Sequence, residues 1–209
     1  MSFGVAVLVS GEGTNLQAIL DTVHGRDGVE VKGVAASAAT ARGLERAAAA
    51  GVETAVFELS AYDNRAARDA ALGEWIEKRG ADLVVLAGFM ELLSTKFVRR
   101  FDKRVVNVHP ALLPSFPGLA AIQQAIEHGV RVTGVTVHFV DEGVDSGPII
   151  LQEATPLEYA RGIEELERRL HEIEHRLLPE AIRLIARGAV SLDPENPRRV
   201  LIEGEPAGA

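Results

Sequence analysis

Val5-Ala6-Val7-Leu8-Val9-Ser10-Gly11-Glu12-Gly13-Thr14-Asn15-Leu16-Gln17-Ala18-Ile19-Leu20 is the stretch whose reading decides the fold. Residues 5–9 are a continuous apolar run of strand length, 11–15 a glycine turn, and 16–20 carry the apolar spacing that opens a helix. A strand apolar at every position is buried on both faces, which is the condition of a parallel strand covered by helices.

The unit recurs outward from there. Residues 29–35 read as strand, 41–50 as an Ala-rich helix ended by Gly51, and 54–57 as strand. A helix follows over 64–79 with Trp75 and Ile76 inward and Gly80 as its stop, then a fourth strand over 83–87. The β-branched run Arg104-Val105-Val106-Asn107-Val108 is a further buried strand. Alternating strands and helices predict a doubly wound α/β fold with a mostly parallel sheet.

The second half changes character. Residues 121–128 read as helix, but 130–140 and 148–157 are strands separated only by 141–147, a connection so short that the pair must be antiparallel. A long amphipathic helix over 163–187 repeats Leu166, Leu170, Ile173, Leu177, Ile182 and Ile185, with Pro179 expected to bend it. Residues 190–202 suggest a small hairpin around Asp193-Pro194, and 204–209 a frayed tail. The expected organisation is one domain over 1–209, with its core at about 5–187 and a small extension over 188–209.

A chain of 209 residues with 47% hydrophobic content suits one sizeable core. Absence of cysteine excludes thiol catalysis, disulfides and thiolate metal sites. No His, Asp and Glu cluster has ligand spacing, so no metal is expected. A net charge of −8 argues against a nucleic-acid partner, which needs a basic face to displace counterions. Arg99-Arg100 and Arg168-Arg169 read as solvated helix faces. No basic stretch precedes an apolar run at the start and no apolar segment approaches roughly 18 residues, so no membrane partner and a cytoplasmic location are expected.

Chemistry concentrates where the strand over 104–108 ends. Asn107-Val108-His109-Pro110, with Asp145-Ser146-Gly147-Pro148 further on, supplies an amide, an imidazole and a carboxylate. An Asn side chain donates to a carbonyl oxygen as it becomes an oxyanion, a His moves a proton, and an Asp holds and charges that His. The end of a sheet strand is where open α/β folds place such groups. Pro110, Pro114 and Pro117-Gly118 then force a rigid loop that shapes a pocket. A lone His at a strand end is more often a buried structural residue, and His138, inside its own alternating strand, fits that description.

The turn 10–15 resembles an anion-binding turn, because glycines after a strand aim backbone amides at an anion and the next helix presents its positive end. It lacks the lysine of a nucleoside-triphosphate loop and the third glycine of a dinucleotide fingerprint, which disfavours ATP and NAD.

Asn107 through Pro110, Leu112-Leu113-Pro114, Phe116-Pro117-Gly118-Leu119, the strand Thr133 to His138, Asp145 to Ile150, Ser10 to Gln17 and Leu86-Ala87-Gly88-Phe89-Met90 together resemble the folate-dependent formyltransferases. Within that family the likeness is to the members that formylate glycinamide ribonucleotide, and it runs colinearly over about 5–187. The resemblance implies a Rossmann-like formyltransferase fold, 10-formyltetrahydrofolate as co-substrate, small-molecule substrates and a monomer or homodimer. It implies Asn107, His109 and Asp145 as catalytic residues, and Gly13, Thr14 and Asn15 around the nucleotide's 5′-phosphate. Glu174 would face the glycyl amine. Folate would meet Arg65, Met90, Glu91, Leu92, Leu93 and Asn107, with backbone groups of 90–93 reading the pterin and Arg65 the glutamate tail.

Two positions depart from the family pattern, where Arg commonly stands at 91 and His at 120; here they are Glu91 and Ala120. Glu91 removes a cation from the folate's negative tail, so Glu91→Arg is expected to tighten folate by a modest, salt-sensitive amount. Ala120 removes an imidazole from the rim. A formyltetrahydrofolate hydrolase would share the trio behind an extra N-terminal domain, and a methionyl-tRNA formyltransferase would add a C-terminal RNA-binding domain and a basic surface. An inactive folate- or nucleotide-binding module draws support only from Glu91 and Ala120.

Overall fold

β1 (Phe3–Val9) is buried from Gly4 onward and lies between β2 (Val29–Ala36) and β4 (Leu83–Leu86), both parallel to it. Val7 stands opposite Val34 on one side and Val85 on the other, so the apolar run of the sequence becomes the centre of a sheet covered on both faces. The computed structural model describes residues 2–204, which divide into two compact units, 2–107 and 108–204.

In the first unit the strand order is β3 (Thr54–Val56), β2, β1, β4, then β5 (Val105–His109), with every pairing parallel. Sequence order reverses between β1 and β4, which makes their carboxyl ends the topological switch point. Between the strands run α1 (Thr14–Thr22), α2 (Gly43–Ala49), α3 (Arg65–Lys78) and α4 (Thr95–Arg100). Asn64 caps α3 by accepting the Ala67 amide at 3.0 Å, and Gly80 beyond its end has φ +65°, in the left-handed region that glycine tolerates.

Ile76 is fully buried as expected, whereas Trp75 is half-buried, with Arg79 stacked on its ring at 3.9 Å. α4 leaves almost no trace in the sequence pattern. It is six residues long and carries Lys96, Arg99 and Arg100, so its apolar face reduces to Phe97 and Val98, with the Ser94 cap as the one local sign.

β5 runs from the first unit into the second, where β5, β6 (Val132–Phe139) and β7 (Ile149–Pro156) are neighbours in that order. β6 and β7 are antiparallel, with Thr136 opposite Gln152 and an irregularity between Val137 and His138. The fold is therefore the doubly wound, mostly parallel α/β class with antiparallel strands toward the C-terminus. α5 (Ala121–Glu127) precedes β6, and α6 (Ile163–Ala186) packs on β6 and β7. Its buried face holds Leu166, Leu170, Ile173, Leu177, Leu178 and Ile182, and Pro179 lies within this one helix. β8 (Val190–Leu192) and β9 (Val200–Ile202) form the expected hairpin, while the frayed tail proposed beyond 204 falls outside the described residues.

Among the described residues no helix is long and apolar enough to cross a membrane. The two basic clusters are engaged in surface pairs, Arg100 with Glu77 and Arg168 with Glu165 and Glu172.

Candidate active site

In the second unit His109, at the end of β5, is 5% exposed and held at both ring nitrogens. Nε2 lies 2.8 Å from the Phe116 carbonyl oxygen and Nδ1 lies 3.3 Å from Asp145 Oδ2. Both partners only accept, so a ring nitrogen that carries a proton donates it to the partner it faces.

Asp145 is fixed in turn. Its Oδ2 accepts the Gly118 amide at 2.8 Å, and Oδ1 lies 3.6 Å from His138 Nε2. Burial pushes the Asp145 carboxyl up, but the hydrogen bond from His138, the Gly118 amide and the charges of both histidines outweigh it and bring the carboxyl from 3.8 to about 2. Asp145 also has φ +49°, strained for a non-glycine residue and of the kind that collects at functional sites.

That depressed carboxyl carries a pH consequence. Because the folded value lies below the ordinary one, the stabilisation is fully present above about pH 4 and is lost as pH falls toward 2. It amounts to about 2 kcal/mol at most. The unfolding free energy of wild type should therefore fall more steeply between pH 4 and 2 than that of Asp145→Asn, as read from urea melts. Equal slopes would show that the carboxylate is not held as described.

Long-range hydrogen bonds shape the loop that presents the Phe116 carbonyl. Thr136 Oγ1 on β6 donates to Ala111 O at 2.7 Å and accepts the Leu113 amide at 3.1 Å, and Gln152 Nε2 on β7 donates to Leu113 O at 2.9 Å. Neither Thr136 nor Gln152 stands out in the sequence, since each is an ordinary polar residue in an alternating strand. His138, whose alternating strand marks it as structural, lies beside the site. It is 1% exposed, donates from Nδ1 to Phe139 O at 2.8 Å, and approaches the same carboxylate as His109. Ala120, the second departure, takes φ +58° at the head of α5. Glu174 is 6% exposed on the otherwise apolar face of α6, an uncommon place for a carboxylate.

In the first unit the turn after β1 and the segment after β4 meet at the switch point. Ser10 Oγ accepts the Met90 amide at 2.9 Å, and the Ser10 amide donates to Gly88 O at 3.1 Å. Gly13, at φ +70°, forms the entry to α1, whose first intrahelical bond runs from the Gln17 amide to Gly13 O at 2.9 Å. The amides of Thr14, Asn15 and Leu16 precede that bond at the positive end of the helix. Arg46 Nε donates to Glu12 O at 2.8 Å and Arg42 pairs with Glu12 at 2.7 Å, so α2 braces the turn.

Beyond β4, Met90 and Leu92 are 69% and 55% exposed, and the amides of Glu91, Leu92 and Leu93 have no partner among the described residues. Arg65 is exposed at the start of α3. Glu91 has a partner that its sequence neighbourhood does not show. It is not an isolated surface acid but the ion-pair partner of Arg68, a guanidinium with no solvent exposure at all. A pair with one fully buried partner is screened less than an exposed one.

The chain belongs to the formyl transferase family, whose model matches residues 4–182. It is similar to the phosphoribosylglycinamide formyltransferase of Haemophilus influenzae, at 42% identity over 90% of this chain and 89% of that one. It is 46% identical to the trifunctional purine biosynthetic protein adenosine-3 of Bos taurus over 90% of this chain, which spans 19% of that relative's length. A crystal structure of glycinamide ribonucleotide transformylase 1 from Symbiobacterium toebii superposes with a TM-score of 0.91 at 50% identity, covering 96% of this chain and 94% of that one.

Proposed function

We infer that this chain transfers the formyl group from N10 of 10-formyltetrahydrofolate to the amine of glycinamide ribonucleotide, a step of purine synthesis. The observation that carries the reading is the buried His109, cradled between Asp145 and the Phe116 carbonyl in a chain of the formyl transferase family. Residues 1–209 serve as one catalytic domain, as a monomer or homodimer in the cytoplasm.

The free amine attacks the formyl carbon and gives a tetrahedral intermediate with an oxyanion. Asn107 and His109 are two residues apart on β5, a spacing that returns to the same face of a strand, and both donate to that oxygen. His109 Nε2 leaves the Phe116 carbonyl to do so, while Asp145, ionised throughout the neutral range, keeps Nδ1 in place and balances the imidazolium charge. The attacking nitrogen then loses a proton, N10 gains one, and the C–N10 bond breaks to release tetrahydrofolate.

Glu174 attracts the glycyl ammonium and must release it as the amine for attack. Gly13, Thr14 and Asn15 hold the 5′-phosphate at the positive end of α1. Residues 90–93 read the pterin with their open backbone amides, and Arg65 meets the glutamate tail.

The test mixes the purified protein with both substrates and follows reduced folate and formylated nucleotide. Release of tetrahydrofolate in step with nucleotide formylation is expected. Release that proceeds without the nucleotide and yields formate would identify a hydrolase instead.

A further inference from the structure

We propose that Arg68 is the positioning residue of the folate-reading segment, gripping residues 89–94 with the help of Asp69, and that the Glu91 carboxylate is its charge partner and not a contact for the folate, which meets residue 91 through the backbone amide alone. The inference rests on the reading that this segment binds folate.

Arg68 leaves α3 fully buried, and a guanidinium out of water persists only where carboxylates and acceptors surround it. Its Nε donates to Asp69 Oδ1 at 2.8 Å, and Nη2 lies 2.7 Å from the same oxygen. Nη1 pairs with Glu91, Nη2 reaches Leu92 O at 3.3 Å, and the guanidinium carbon sits 5.7 Å from the centre of the Phe89 ring. Asp69, 1% exposed, accepts the Ser94 amide at 2.5 Å through its other oxygen. Two consecutive residues of α3 thereby hold positions 89, 91, 92 and 94.

On the other side Ser10 holds the Met90 amide. What these contacts leave open is the amide edge of residues 91–93, the edge a flat heterocycle would read. A segment with no regular structure presents that edge in one arrangement only if its other groups are tied down. The guanidinium does this from behind, and Glu91 together with Asp69 compensates its charge.

Variants at residue 91 separate this clamp from simple attraction. If Glu91 merely repelled the folate tail, Glu91→Arg would lower the folate KM. In the clamp it sets a second guanidinium against Arg68, so the folate KM should rise at least about fivefold, with the nucleotide KM within about twofold and kcat little changed. The near-isosteric Glu91→Gln keeps a hydrogen-bond acceptor for Arg68 but not the charge, and should give a smaller rise in the same direction.

Without any substrate, deuterium uptake in the 88–94 peptide should increase in both variants while that of 14–22 stays as in wild type. A lowered or unmoved folate KM in Glu91→Arg overturns the proposal, as does an equal rise for both substrates. Uptake unchanged in Glu91→Gln and Glu91→Arg refutes the clamp itself. Failure of the wild type to transfer formyl at all is the separate result that would overturn the proposed function.

Discussion

His109→Ala should lower kcat by roughly 10²–10³ with both substrates saturating, because it removes a donor to the oxyanion along with the group that balances its charge. The substituted site keeps its other parts. Gly118 still donates to Asp145 and Thr136 still pins the loop, so circular dichroism and the melting temperature should stay near wild type. Asn107→Ala should cost a similar factor, and the double variant less than the product, since both side chains serve one oxygen. Near-full turnover in His109→Ala would defeat the mechanism, whatever the assay says about the reaction.

Gly13→Ala should raise the nucleotide KM at least about tenfold and destabilise the protein. Two costs add at this position. A side chain in the left-handed region costs roughly 1–2 kcal/mol. A Cβ there would also stand 2.7 Å from Gly43 Cα, a backbone atom of α2 that cannot swing aside, so α1 and α2 must separate. A melting temperature several degrees lower is expected, since each kcal/mol is about 2–4 °C at this size. Inorganic phosphate should compete with the nucleotide in wild type and much less in the variant. A lowered melting temperature with an unmoved nucleotide KM would show that the turn is only structural.

The local pattern of the chain carried most of the architecture. Uninterrupted apolar residues over 5–9 and 83–87 permit only strands buried on both faces, and the seven-residue link between 140 and 148 permits only an antiparallel return. The same locality made the anion turn and the Asn107–His109 spacing legible, because each is complete within a few residues. α4 escaped notice since six residues give too little period to register.

Long-range partners were another matter. Nothing near Thr136 or Gln152 in the sequence says that they pin the loop at Ala111 and Leu113, and nothing near His138 says that it shares Asp145 with His109. Glu91 shows the difference most plainly. In sequence it is an acid where a base is common, and a solvated repulsive charge is the natural reading. In the fold it meets Arg68, 23 residues earlier, and becomes half of an ion pair.

The sequence by itself determined the strand and helix order, the parallel-then-antiparallel pairing and the residue types of the chemistry, because periodicity, glycine and proline act on the nearest few residues. Only the tertiary structure decided which charges are neutralised, which histidines share a carboxylate and which backbone amides stay open. Burial raises the cost of an unpaired charge from negligible to several kcal/mol, and burial belongs to segments that meet only when the chain has folded.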